Sequence, residues 1–305
     1  MSKAKKVLRL NKSRRDLIFA VLVSLPVVIM TTLFILVPVV DSVYKSFLDY
    51  RTKNIIKNIP GEWNNFKNYT DLFKGDKLWS AIIVTFVFVV FVVVLQIVIG
   101  FILALVLDSG VKGSRLIRSI MMLPWVVPTI ISALLWMWLF QAEYGLFKYL
   151  IDLVTFGKVT DFAMLNNMDT ALFGVSNAAL WKQIPLSTLL LLAGLANVPT
   201  DTLEAAALDG ANYLQRLFYV VIPSMQSVVS ITISMAIIQN FKQFPLFWVM
   251  TGGGPNGATT NLAILSYREA FVSRNLGSGA AVTTIWMILM IIIVYINQRI
   301  FSDNK

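Results

Sequence analysis

Long stretches without a charged residue alternate with short polar ones and set the architecture of the chain. Six charge-poor runs cover residues 17–40, 78–107, 119–142, 170–200, 217–241 and 276–298, the fourth interrupted once by Lys182. Each supplies the roughly 20 residues that a helix needs to cross the hydrocarbon core of a bilayer. The pattern predicts an all-α, polytopic membrane protein with six transmembrane helices in one domain. Its parts are a basic N-terminus at 1–16, a first transmembrane helix at 17–40, an extracytoplasmic loop at 41–77, a five-helix core at 78–298 and a tail at 299–305. The first run is too long for the roughly 7–15-residue core of a secretory signal, so it reads as a retained span.

Composition agrees with lipid as the solvent. Hydrophobic residues make up 57% of the 305 and charged ones 14%, against about 25% charged in a soluble domain. The net charge of +10 does not point to nucleic acid, because seven basic residues (Lys3, Lys5, Lys6, Arg9, Lys12, Arg14 and Arg15) crowd directly before the first apolar run. That placement suits a cytoplasmic N-terminus beside an anionic leaflet. With six spans both termini fall on one side of the membrane, the cytoplasmic one on this reading. The expected inner segments 1–16, 108–118, 201–216 and 299–305 carry 7, 3, 1 and 2 Lys/Arg. The outer segments 41–77, 143–169 and 242–275 carry 7, 2 and 3, spread over more residues and offset by 10 acids. Orientation therefore rests on charge density and on the first helix. Residues 201–216 are the exception: Asp201, Glu204 and Asp209 face one Arg216.

Cysteine and histidine are both absent, which removes thiol nucleophiles, disulfides, Cys/His zinc sites and imidazole bases together. Prolines fall inside several runs (Pro124 and Pro128 in the third, Pro185 in the fourth, Pro223 near the start of the fifth). Each frees a backbone carbonyl that in lipid needs a partner from a neighbouring helix or from water. Bundle packing explains any one of them; together with Gln96, Lys182, Gln183, Gln239 and Asn240 they favour helices around a wet passage.

Between the fourth and fifth runs Pro199 breaks the incoming helix. Asp201 is placed to cap a new one, with Glu204 at its third position as in a capping box. Ala205, Ala206, Ala207 and Leu208 favour helix, and Gly210 suits the left-handed stop. A lever of about 12 Å follows from about eight residues at 1.5 Å each. Glu204-Ala205-Ala206, three residues, Gly210, nine residues, then Val220-Val221-Ile222-Pro223 resembles the EAA loop of ABC-importer permeases, EAA-x3-G-x9-I-x-L-P. Further segments resemble the carbohydrate branch of that family, the one containing the first maltose permease and the glycerol-3-phosphate permease: Phe66-Lys67-Asn68-Tyr69, Leu123-Pro124-Trp125, Tyr144-Gly145-Leu146, Trp181-Lys182, Thr251-Gly252-Gly253-Gly254-Pro255 and Gly277-Ser278-Gly279-Ala280-Ala281.

The resemblance implies a type I importer permease fold, with the 200–223 loop as a coupling helix docked in a cytoplasmic ATPase. Glu204, Ala205, Ala206, Asp209 and Gly210 are then the coupling residues. It further implies a second homologous permease, two ATPase subunits that hold ATP and Mg, an extracytoplasmic solute-binding protein, and a sugar or oligosaccharide as solute. A glycerophosphodiester or an amino acid is the alternative. The chain has no G-x4-G-K-[S/T] sequence, and Thr251–Pro255 lacks the Lys-Ser/Thr of a phosphate loop; no cofactor and no enzymatic activity of its own is expected. A secondary transporter would want an intramembrane carboxylate, and the six runs hold no Asp or Glu. Asn177, Lys182, Gln183, Gln239, Asn240 and Phe244 are the pathway candidates. Lys182 reads equally as functional or as snorkelling to the interface beside Trp181. Trp125, Trp136, Trp138, Trp181, Trp248 and Trp286 serve either as sugar-stacking or as interfacial aromatics. The 41–77 loop has no hydrophobic core of its own on this reading.

Overall fold

The computed structural model describes residues 2–158 and 162–302. Helix α1 (Ser2–Thr31) runs through a π-helical turn (Thr32–Leu36) into α2 (Val37–Lys45), and α5 (Asp76–Asp108) is 33 residues long. Runs such as Val92-Val93-Val94 would favour a strand in water. In lipid a helix closes every backbone hydrogen bond inside the segment, and that decides the conformation. Among the described residues four helices are long and apolar enough to cross a membrane, and the number is six when each of two bent pairs is counted as one span.

The bent pairs correct the expectation of plain spans at 119–142 and 217–241. In the third span α6 (Ser114–Met121) and α7 (Leu123–Val126) meet α8 (Thr129–Leu139) at 94°. Pro128 forces Val127 into an extended conformation (φ −61°, ψ 132°) and so ends α7. In the fifth, α12 (Tyr213–Arg216), a π turn (Leu217–Val221) and α13 (Ile222–Ser224) meet α14 (Gln226–Phe241) at 73°. The fourth span is α10 (Ala171–Leu195), shorter than the 170–200 run because Pro199 starts a separate helix, α11 (Thr200–Leu208). After the short α15 (Pro245–Met250), α16 (Leu262–Tyr267) and a π turn (Arg268–Val272), α17 (Leu276–Ser302) is the sixth.

Helix α10 lies at the centre, packed along α5 and against α14, with α15 against α8. The main apolar core joins Phe88, Val92, Trp136, Val175, Phe241 and Phe247 from these helices. The first span behaves otherwise: in its window within Phe19–Lys45 no residue is buried. It meets the bundle where α2 reaches α17.

The 41–77 loop, though it has no buried apolar cluster of its own among the described residues, is ordered by pairing and aromatic contacts. Strand β1 (Leu48–Asp49) pairs antiparallel with β2 (Glu62–Trp63), followed by α4 (Lys67–Lys74). Phe47 stacks on Trp63 at 5.5 Å and meets the Phe66 and Tyr69 rings at 5.2 and 5.3 Å. Buried Asn68 donates to the carbonyls of Ser46 and Leu48, both at 2.9 Å. Four aromatics spread over 23 positions carry no regular period, so the cluster is invisible to pattern reading. This cap sits on the first turn of α17. The Gly277 N–H donates to the Tyr50 carbonyl at 2.8 Å, and a Cβ at Gly277 would lie 2.3 Å from the Leu48 carbonyl oxygen. Glycine is required there by close approach.

Candidate functional site

Helix α11 projects from the end of α10 as a separate lever. Pro199 occupies the N-cap and no side chain closes the cap, so the Asp201–Glu204 capping box predicted from sequence does not form. The helix begins at Thr200, which places Asp201 inside the first turn, where its carboxylate faces the positive end of the helix dipole. A capping box does form one helix later: Asn212 accepts from the Gln215 N–H at 2.9 Å and Gln215 accepts from the Asn212 N–H at 2.8 Å.

The stop at Gly210 is as the sequence indicates. Gly210 has φ +81°, its N–H donates to the Ala207 carbonyl and the Ala211 N–H donates to the Ala206 carbonyl. That pair of bonds is a Schellman motif. Leu203 and Ala206 face inward and are half-buried; Glu204, Ala205, Leu208 and Asp209 are exposed, Leu208 to 89%. None of the ion pairs among the described residues involves Asp201, Glu204 or Asp209. The free face thus combines one large apolar side chain, small alanines and unpaired carboxylates. Under the lever a cavity of about 230 Å³ opens between Leu105, Asp108, Leu203, Tyr213, Arg216 and Val221, so α11 bridges to the bundle without being packed solid against it.

The pathway candidates occupy five different settings. Gln183 and Asn240 meet in a buried node: the Gln183 Nε2 donates to Asn240 Oδ1 at 3.1 Å, and Asn240 Nδ2 donates to Gln183 Oε1 at 3.0 Å and to Gln96 Oε1 at 3.3 Å. Gln96 Nε2 donates in turn to Ser187 Oγ at 2.6 Å. All four residues are buried, and the node ties α5, α10 and α14 together. A buried amide left without a partner would cost about 1–3 kcal/mol; here the amides satisfy one another. Gln96 stood out as a polar residue in an apolar run without being a pathway candidate, Ser187 did not stand out at all, and their separation of 91 residues leaves no local signal for the pairing.

Asn177 bonds back to the Phe173 carbonyl of its own helix at 2.9 Å. Gln239 is half-buried on α14. Phe244 belongs to an aromatic run, stacked on Trp248 at 5.7 Å and next to Tyr267 at 5.3 Å. Lys182 reaches the third span, where its Nζ donates to the carbonyls of Val127, Trp125 (3.3 Å) and Pro124 (3.5 Å).

The Thr251–Thr260 loop is a braced turn rather than a cradle of free N–H groups. Thr259 and Thr260 hydroxyls donate to the Gly254 and Gly253 carbonyls at 2.7 and 2.9 Å. Arg268 donates to the Gly252 carbonyl at 2.7 Å, and the Gly254–Pro255 peptide is cis.

Comparison with known proteins agrees with this arrangement of lever and bundle. The chain is 31% identical over 284 residues to the trehalose/maltose transport system permease protein MalF of Thermococcus litoralis, covering 93% of this chain and 94% of that one. It is 33% identical over 248 residues to the sn-glycerol-3-phosphate transport system permease protein UgpA of Yersinia enterocolitica, covering 81% and 82%. Its fold matches a chain of a bacterial ABC transporter that imports the acidic polysaccharide alginate, with a TM-score of 0.79 over 97% of this chain and 99% of that chain at 16% identity. Residues 96–304 match the family described as binding-protein-dependent transport system inner membrane component. With two thirds of its length inside that match, lever and braced loop included, the chain belongs to the family of binding-protein-dependent inner-membrane transport permeases.

Proposed function

We propose that this permease forms half of the translocation pathway for a sugar or oligosaccharide and takes its driving force from cytoplasmic ATPases through α11. The observation that carries the reading is the lever itself: a nine-residue helix stopped by the Gly210 Schellman turn, with a free face of Glu204, Ala205, Leu208 and Asp209. Such a face has no role in a bundle closed on itself. It suits a cleft with an apolar floor for Leu208 and a basic rim for the carboxylates. The 31% identical trehalose/maltose permease supports a saccharide as solute.

The assembly contains this chain, a second homologous permease, two ATPase subunits holding ATP and Mg, and an extracytoplasmic binding protein. Both termini and α11 lie on the cytoplasmic side, and the 41–77 cap lies outside. Closure of the ATPases moves α11 as a rigid piece and switches the bundle between inward- and outward-facing states. Linkage requires that a loaded binding protein outside favour ATPase closure inside by the same free energy.

Two measurements test the reading. Affinity-tagged complex carrying Glu204→Arg and Asp209→Arg should retain about a tenth or less of the ATPase that the native chain retains, since an interface loses affinity steeply when like charges meet. Full ATPase recovery with native uptake would defeat the docking face. The cognate binding protein is then melted against saccharides, glycerol phosphodiesters and amino acids. A stabilising shift with a saccharide is expected, and a shift only with another class would replace the solute assignment.

A further inference from the structure

Lys182 is the charged residue that interrupts the fourth apolar run, and its surroundings are a helix end rather than a passage. A carbonyl in a helix is normally met by the N–H four residues on. For Pro124 that residue is Pro128, which has no N–H. Extended Val127 then turns the chain by 94°, so α8 does not supply the donors missing at the end of α7. In lipid no water replaces them. The Lys182 ammonium donates to three of these carbonyls, those of Pro124, Trp125 and Val127. A cation is also the favourable charge at the negative end of a helix.

The helix that carries this lysine has a second connection. Lys182 lies thirteen residues before Leu195, about 20 Å along α10, and α11 starts five residues after Leu195. The geometry points to Lys182 as a positioning residue of the transport cycle: docked on the carbonyl end of α7, it holds the break in the third span and transmits displacement of α10 into the angle between α7 and α8. The inference rests on the coupling role of α11 for its purpose, and on the Lys182 contacts alone for its geometry.

The absence of cysteine makes a distance measurement direct. Spin labels at Ser119→Cys and Leu135→Cys, in the intact complex in nanodiscs, bracket the break; a continuous helix would separate the two positions by about 24 Å. The native chain is expected to give a shorter, narrow distance. Lys182→Met should lengthen and broaden it and lower uptake by about tenfold or more, the scale of a lost coupling free energy. Lys182→Arg, which keeps charge and donors, should restore both readouts to within about twofold. Pro128→Ala returns an N–H to the Pro124 carbonyl, so Lys182→Met combined with Pro128→Ala should approach the straight-helix distance.

An unchanged narrow distance in Lys182→Met overturns the proposal. Uptake lost at that unchanged distance would assign Lys182 to the solute instead. Should Lys182→Met fail to assemble, recovery of assembly by Pro128→Ala supports the proposal and failure of the double variant overturns it. The distance needs no ATPase action, so a failed docking face for α11 would leave this readout intact.

Discussion

The third and fifth spans are both broken, by 94° and 73°, yet their loose backbone groups are satisfied in opposite ways. At the fifth, the repair is local. The Ser224 hydroxyl donates to the Val220 carbonyl at 2.6 Å, and the Met225 N–H to the Val221 carbonyl at 3.1 Å. At the third, the repair comes from Lys182, more than fifty residues away on another helix. A break closed by its own segment is a fixed elbow, and here it adjoins the lever. A break closed from outside has an angle that depends on where the other helix stands. On the proposed coupling, the contrast divides the bundle into an input arm beside α11 and a joint at the third span that answers to α10.

The largest effect is expected from destroying the input arm. Ala206→Pro puts a proline inside α11, where it costs about 3 kcal/mol or more and unwinds the piece continuous with the fifth-span elbow. Uptake into proteoliposomes should fall by more than about a hundredfold, with ATPase lost from the purified complex. Retained uptake would mean that the elbow and lever do not act as one body.

A middle effect comes from the node above the elbow. Asn240→Leu leaves the Gln183 amide without its node partner and Gln96 Oε1 without a donor, while Gln96 keeps Ser187; it should lower stability by about 1–3 kcal/mol, read as a drop in melting temperature of the detergent-solubilised complex. Adding Gln183→Leu removes one of the stranded amides and should recover part of the loss. A second loss of equal size would show that the amides act independently.

The smallest effect belongs to the elbow's local bond. Ser224→Ala removes one hydroxyl donor, worth about 0.5–1.5 kcal/mol, while the backbone bonds on either side remain. Uptake should stay within about twofold of native. A loss approaching that of Lys182→Met would erase the distinction between the two breaks.

How much of this was legible in the sequence follows the range of each interaction. Span number and lever position depend on runs of adjacent residues, so the six charge-poor segments and the Gly210 stop were readable. Cap chemistry was half readable: Glu204 three residues after Asp201 suggested a box, but Pro199 already fills the cap and starts the helix earlier. The true box at Asn212 and Gln215 was passed over, although its spacing was in plain view. Features made by residues far apart were not readable. Gln183 and Asn240 could be picked as polar residues in apolar runs, but not their pairing with Gln96 and Ser187. The Lys182 question, function or snorkelling, turned on a carbonyl 55 residues away, which no local pattern could supply. The kinks had prolines to announce them, but a proline announces a missing donor without saying which helix supplies a new one.

The seat of the 41–77 cap on Gly277 also orders the protein's biogenesis. Chains leave the ribosome N-terminus first, so β1, β2 and the aromatic cluster exist while α17 is still more than 200 residues from being made. Their surface against α17, including the Gly277 N–H bond to Tyr50 and the Arg51–Asn275 bridge, closes only after the sixth span has been inserted. Contacts of such long sequence separation form late, because loop-closure entropy precedes their reward. The cap therefore seats last: a chain whose final helix is missing leaves the Tyr50 carbonyl without the Gly277 N–H and Arg51 without its Asn275 bridge.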